Sequence, residues 1–167
     1  MNVVVMGVAG SGKSTVAELL AERLGAEYAD ADAFHPPENV AKMAGGIPLD
    51  DDDRAPWLAI VRDWMADHGT RRGADVVVAC SALRRAYRDV LRDAGGVVFV
   101  HLTGSAELLG ARIAARPGHF MKPDMLASQL ATLEPLAPGE PGFTVDITPG
   151  PTQIVAEIVG RLPVRFS

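Results

Sequence analysis

Cysteine is almost missing from this chain: Cys80 is the only one in 167 residues. That excludes an intrachain disulfide framework and any cysteine-rich metal centre. A surplus of positive charge is missing too, since 16 Lys and Arg face 21 Asp and Glu for a net charge of −5. Nucleic-acid binders carry a basic excess, so that class is disfavoured. Any anionic ligand must be held by a local cluster of positive groups, against the overall field. No uncharged run approaches the roughly 18 residues that span a bilayer. The N-terminus lacks the positive flank and small-residue cleavage site of a signal peptide, and Lys13 interrupts the first apolar stretch. These absences together predict a soluble protein of the reducing cytoplasm, with neither nucleic acid nor membrane as partner.

What is present is a globular composition, 48% apolar and 22% charged, at a length suited to one domain over residues 1–167. The spacing predicts apolar strands at 2–6, 76–80, 97–102 and 143–147, with a poorly marked strand at 27–30. Between them, helices are predicted from Lys13 to Leu24 and over 38–44, 51–68, 83–93, 105–115, 124–133 and 153–161. Trp57, Leu58, Val61, Trp64 and Met65 form one apolar stripe and read as core. Apolar strands alternating with helices predict an α/β fold, a parallel sheet covered on both faces. The Pro- and Gly-rich stretch 135–142 is a loop within that domain, because one strand and one helix cannot form another.

Gly7-Val8-Ala9-Gly10-Ser11-Gly12-Lys13-Ser14 matches G-x-x-x-x-G-K-[ST] and lies between a predicted strand and a predicted helix. Glycines let backbone N–H groups turn inward around phosphate oxygens, and the helix N-terminus adds its positive end. Lys13 reaches the terminal phosphates and the Ser14 hydroxyl is a ligand for Mg²⁺; Thr15 follows directly. The motif implies nucleoside triphosphate binding and leaves the acceptor open. A GTP switch would need an N-K-x-D segment, and neither asparagine, Asn2 or Asn39, is followed by lysine.

Four stretches are similar to the gluconokinase family, small P-loop sugar-acid kinases related in fold to shikimate and nucleoside monophosphate kinases. They are GVAGSGKST, DADAFHPPENVAKMAGGIPLDDDDRAPWL, CSALRRAYRDVLR and ARPGHFMKPDMLASQLATLEP, together nearly half of the chain. Shikimate kinases would carry a glycine triplet where this chain has Cys80-Ser81-Ala82-Leu83. The resemblance implies a P-loop fold with a five-stranded parallel sheet of order 2-3-1-4-5, helices on both faces and a mobile lid over about 116–134. It also implies ATP and Mg²⁺, phosphorylation of D-gluconate to 6-phosphogluconate, and a homodimer. The alternatives are a kinase for another small hydroxy acid such as shikimate, and a nucleotide-binding sensor without turnover.

Asp30 and Asp32 fall at the end of the second strand, where open parallel sheets bind ligands. One carboxylate can hold Mg²⁺ through water while the other accepts the proton of the acceptor hydroxyl. The resemblance assigns Asp30 to the metal and Asp32 to the hydroxyl, and a swapped or shared division stays open. Gluconate's carboxylate calls for a guanidinium: Arg54 is the first candidate and Arg84, after Ser81, the second. An ion pair of Arg54 with the acidic run at 50–53 is the competing structural role. His35, Lys42 and Ser81 are candidates for hydroxyl contacts. Arg112 and Arg116 lie one helical turn apart; the resemblance implies that Arg112 stacks on adenine and that Arg116 meets the transferring phosphoryl group. Pro117 and Gly118 suit a hinge, and His119 and Lys122 are further phosphate candidates. Cys80 reads as packing, because phosphoryl transfer to a hydroxyl needs no covalent intermediate.

Overall fold

A computed structural model describes residues 1–115 and 123–163. The central strand β1 (Asn2–Met6) is NVVVM, buried at every position, the near-continuous apolar run that a doubly covered parallel strand requires. It is flanked by β3 (Val76–Ala79) and β4 (Val97–Thr103), with β2 (Glu27–Asp30) and β5 (Gly142–Asp146) on the outside. The five strands run parallel in the order β2-β3-β1-β4-β5, as expected from the family resemblance.

Alternation along β1 feeds two cores. Val3 and Val5 point to one face and pack with α1 (Lys13–Leu24) and α7 (Pro151–Arg161), through residues such as Leu20, Ile154 and Ile158. Val4 and Met6 point to the other, against Trp57, Leu58, Val61 and Met65 of α3 (Asp51–Met65) and Leu91 of α4 (Arg85–Arg92). The stripe read from sequence is therefore core, with Trp64 partly buried against it. Helix α2 (Pro37–Ala44) precedes α3, while α5 (Ala106–Ala115) and α6 (Pro123–Thr132) lie between β4 and β5 in the chain. Ser105 caps α5, its Oγ accepting the Leu108 N–H at 3.1 Å.

Differences from the sequence reading are confined to ends and short turns. The long helix stops at Met65 and continues as a wider π-type turn over Ala66–Thr70. A single 3-10 turn, Ala31–Phe34, follows β2. Of the expected lid, residues 116–122 lie outside the described part and 123–132 are α6. Among the described residues, no helix is long and apolar enough to cross a membrane.

Candidate active site

The phosphate loop joins β1 to α1, and its shape depends on glycine. Gly10 and Gly12 have φ of +81° and +80°, a region that side chains strongly disfavour. A Cβ on Gly10 would also lie 2.8 Å from the Leu109 carbonyl oxygen and 2.9 Å from Ile113 Cγ1, so α5 packs directly on the loop. Within the loop, the Ser11 N–H donates to the Val8 carbonyl at 3.2 Å. The Ser11 side chain is buried with its hydroxyl unpaired. The Ala9 N–H donates to Gln129 Oε1 of α6 at 2.7 Å. Gly12 leads into an α1 whose first turn has no acidic residue and no side-chain cap. Its uncapped N–H groups and positive end are free for an anion.

Lys13 and Ser14 open that helix. Ser14 Oγ donates to Asp30 Oδ2 at 3.0 Å, which ties the loop to the end of β2. The other Asp30 oxygen accepts the Asp32 N–H at 3.0 Å and so fixes the turn that presents Asp32. The Asp32 side chain is 84% exposed, with His35 Nε2 3.9 Å away. Burial pushes the Cys80 thiol up to about 12, and the charges of Asp32, Lys13 and Asp30 all reach it. The three groups thus gather at the carboxyl end of β3, and Cys80 among them is no nucleophile. On the outer side, Arg112 Nη2 donates to the Ile147 carbonyl at 2.7 Å. With Gly10, Ser11, Gly12, Thr15 and Pro151 it lines a cleft of about 260 Å³.

A second wall, linked to Asp32 through His35, is made of side chains from α2, α3 and the β3–α4 loop. Arg54, in the first turn of α3, lies 3.6 Å from Asp51 and donates to the Tyr87 hydroxyl at 3.3 Å. Tyr87 in turn donates to Asp51 at 2.7 Å. That hydrogen bond holds the Asp51 carboxyl below the usual carboxylate range, and the charges of Arg84 and Arg54 add to it. Two arginines therefore border one carboxylate. His35 stacks on Trp57 with ring centroids 4.3 Å apart, and its burial lowers its pKa. Its Nδ1 meets Asn39 Nδ2 at 3.2 Å. Lys42 grips both Asp53 oxygens, at 2.9 and 2.8 Å, which raises the lysine and lowers the acid.

Ser81 is half-buried in a loop held under strain, for Ala82 next to it has φ +44° without being glycine. Such backbone costs about 1–3 kcal/mol and persists only where surroundings enforce it. The enforcing group is Arg88, fully buried, whose Nη1 donates to the Ala82 carbonyl at 2.9 Å. Its Nε and Nη2 pair with Glu140 at 2.8 and 3.0 Å.

Arg116, with Pro117, Gly118, His119 and Lys122, lies outside the described residues. Sequence reasoning did not single out Tyr87, Asn39, Arg88 or Gln129. Asn39 carried a faint signal, four residues after His35 on the adjoining helix. Arg88 and Glu140 are 52 residues apart, and no local pattern connects them.

The sheet order, the loop between β1 and α1 and the carboxylates after β2 define a kinase of the P-loop class. A sequence profile described as an AAA domain matches residues 3–136. The gluconokinase of Gluconobacter oxydans is 47% identical over 157 residues, 93% of this chain and 88% of that protein. Two crystal structures superpose closely. One is a sugar kinase from a Janibacter species, at TM-score 0.88 and 49% identity, covering 95% of this chain and 92% of that one. The other is a gluconokinase from Sinorhizobium meliloti, at TM-score 0.85 and 45% identity, covering 95% and 89%. The chain belongs to the gluconokinase family.

Proposed function

We propose that this protein transfers the γ-phosphoryl group of ATP to D-gluconate, releasing ADP and 6-phospho-D-gluconate. The supporting observation is a phosphate loop after β1 together with a wall where Arg54 and Arg84 border a single carboxylate, with His35 within reach of the charges of both Asp32 and Arg54. A sugar acid suits that pairing, with its reacting hydroxyl toward the loop and its carboxylate toward the guanidinium groups.

In this reading the loop of Gly7, Val8, Ala9, Gly10, Ser11 and Gly12, with Lys13, Ser14 and Thr15, wraps the phosphates. Arg112 covers adenine in the cleft it lines. Asp32 receives the proton of the acceptor hydroxyl, and its exposure leaves it open to that hydroxyl. Arg54 and then Arg84 hold the carboxylate, while His35, Lys42 and Ser81 wall the hydroxyls. Lys42 does so as one half of its pair with Asp53. Arg116 is assigned the developing charge of the transferring group. Phosphoryl transfer has a loose transition state, so placement and charge neutralisation govern the rate more than basicity does. Ser14 and Asp30 are adjacent oxygen donors, the chemistry Mg²⁺ takes. When bound there, the ion supplies neutralisation of the terminal phosphate charge.

A coupled ADP-release assay over a panel of sugar acids, shikimate and unmodified sugars tests the reading. Turnover should be fastest with gluconate. Preference for another hydroxy acid would reassign the acceptor, and no turnover with any of them would leave a nucleotide-binding sensor.

A further inference from the structure

Gln129 lies within the last of the four stretches that carry the family resemblance, without a role assigned to it, yet its side chain bonds the backbone of the phosphate loop. Its Oε1 accepts the Ala9 N–H at 2.7 Å across 120 residues of sequence. A backbone N–H can only donate, so the carboxamide atom facing the loop must be the oxygen. The Nε2 group is then the free half, and among the described residues no protein acceptor takes it. It is carried on the same carboxamide that meets the Ala9 amide, beside the loop whose motif takes the nucleotide's phosphates. Just beyond α6, the Glu134 N–H donates to the Leu83 carbonyl at 2.7 Å, so this segment is pinned to the loop carrying Ser81 and Arg84. Arg88 fastens the same two segments, donating to the carbonyls of Ala82 at 2.9 Å and Pro135 at 3.4 Å. Gln129 thus sits on an element anchored to the acceptor wall and reaches the phosphate loop with one acceptor used and two N–H donors unused.

We infer that Gln129 distinguishes ATP from ADP: Oε1 keeps the Ala9 N–H while Nε2 donates to an oxygen of the γ-phosphoryl group. The inference rests on the kinase reading, but its test does not involve gluconate. The contact links occupancy of the terminal phosphate position to the segment that carries the acceptor loop, through the Glu134–Leu83 hydrogen bond.

The test measures binding of the β,γ-methylene analogue of ATP and of ADP, each with Mg²⁺, by titration calorimetry on wild type, Gln129→Met and Gln129→Glu. Met is neutral and close in length but neither donates nor accepts. Glu keeps the acceptor for Ala9 and loses the donor. A hydrogen bond to a charged group is worth about 10-fold or more in affinity. Gln129→Met should therefore weaken the triphosphate analogue by about that factor while ADP changes less than about twofold. Gln129→Glu should weaken the analogue further and keep the wild-type melting temperature, because the Ala9 contact survives. An unchanged ratio of the two affinities in Gln129→Met, or equal losses for both nucleotides, would overturn the inference and leave Gln129 as a cap on the loop. Wild-type turnover of gluconate is measured separately, so failure of the acceptor assignment would be seen apart from this result.

Discussion

Two helix N-termini supply candidate site residues, and they are built in opposite ways. Helix α1 starts at a left-handed glycine with no acidic residue in its first turn and no side-chain cap. Helix α3 starts at Asp50, which accepts the Asp53 N–H at 2.8 Å while Asp53 accepts the Asp50 N–H at 3.0 Å. Asp51 and Asp52 add further negative charge to the same turn. Both ends present the positive pole of a helix. One has been left open for a ligand's phosphates, and the other is filled by its own carboxylates. The filled end serves the site differently: it holds Arg54 beside Asp51 and Tyr87, and Lys42 on Asp53. In the proposed reading, anion binding is carried by backbone at one end and by arginines at the other.

The sharpest way to break this contrast is at the open end. Lys13→Ala removes the charge aimed at the terminal phosphates and should lower kcat by about 10²–10³-fold or more, the scale for losing one preorganised electrostatic contact. The fold should persist, because α1 needs no cation at that position; circular dichroism and turnover at saturating ATP check both halves. Near-normal turnover would remove the loop from the mechanism.

At the filled end, Arg54→Ala should lower kcat/KM for gluconate by roughly 10- to 150-fold, equivalent to about 1.5–3 kcal/mol for a charge-assisted bidentate contact. Arg54→Lys should recover only part, since an ammonium lacks the planar fork. Glucose, without a carboxylate, should be a poor acceptor and lose far less. Equal losses on both acceptors with a lowered Tm would mean that Arg54 serves mainly Asp51, and the carboxylate contact would pass to Arg84.

A smaller effect is expected at the cap itself. Asp50→Ala deletes the acceptor for the Asp53 N–H and should cost about 1 kcal/mol of stability, within 0.5–2. It should leave nucleotide affinity unchanged, because α1 is unaffected. Denaturant melts and nucleotide titration separate these.

Acid titration distinguishes the two ends by pH range. His101, paired in register with Met6 beside the phosphate loop, is buried with Nδ1 unpartnered, and burial lowers its pKa to about 4 from 6.5. The unfolded chain takes up that proton first, so stability should fall as pH drops from about 6.5 to about 4. Asp51 and Asp53 are lowered from an ordinary value of 3.8. Their contribution is present above that value and is lost only at still lower pH. His101→Leu should flatten the first stretch of a Tm–pH curve and leave the second; a curve identical to wild type would remove His101 as its origin.

Much of this was legible before any coordinates. The valines of β1, the glycines and lysine after it and the helical stripe of Trp57, Val61 and Met65 are each short-range patterns. Each maps onto a local structure through pleat, helix period or steric freedom. The phosphate loop was readable for the same reason, since its chemistry is that of consecutive backbone amides. Strand order was suggested by family resemblance, and pairing in the folded sheet bears it out. The acceptor wall was legible only as single residues. Arg54 and its pairing with the acidic run at 50–53 could be named, and the Asp51 contact is that pairing, but the contact with Tyr87 required α3 and α4 to pack against one face of the sheet.

The sequence by itself determined the alternation of strand and helix, the open N-terminus of α1 and the closed one of α3, because each is written within a few consecutive residues. Tertiary structure alone decided that Arg88 and Glu140 form a buried pair behind the acceptor loop, that Ala82 is held in the left-handed region, and that Gln129 meets Ala9. Those contacts join segments 52, 6 and 120 residues apart. Their free energy comes from burial and from satisfying polar groups that no water reaches. Neither quantity exists until the sheet and its helices have closed around them.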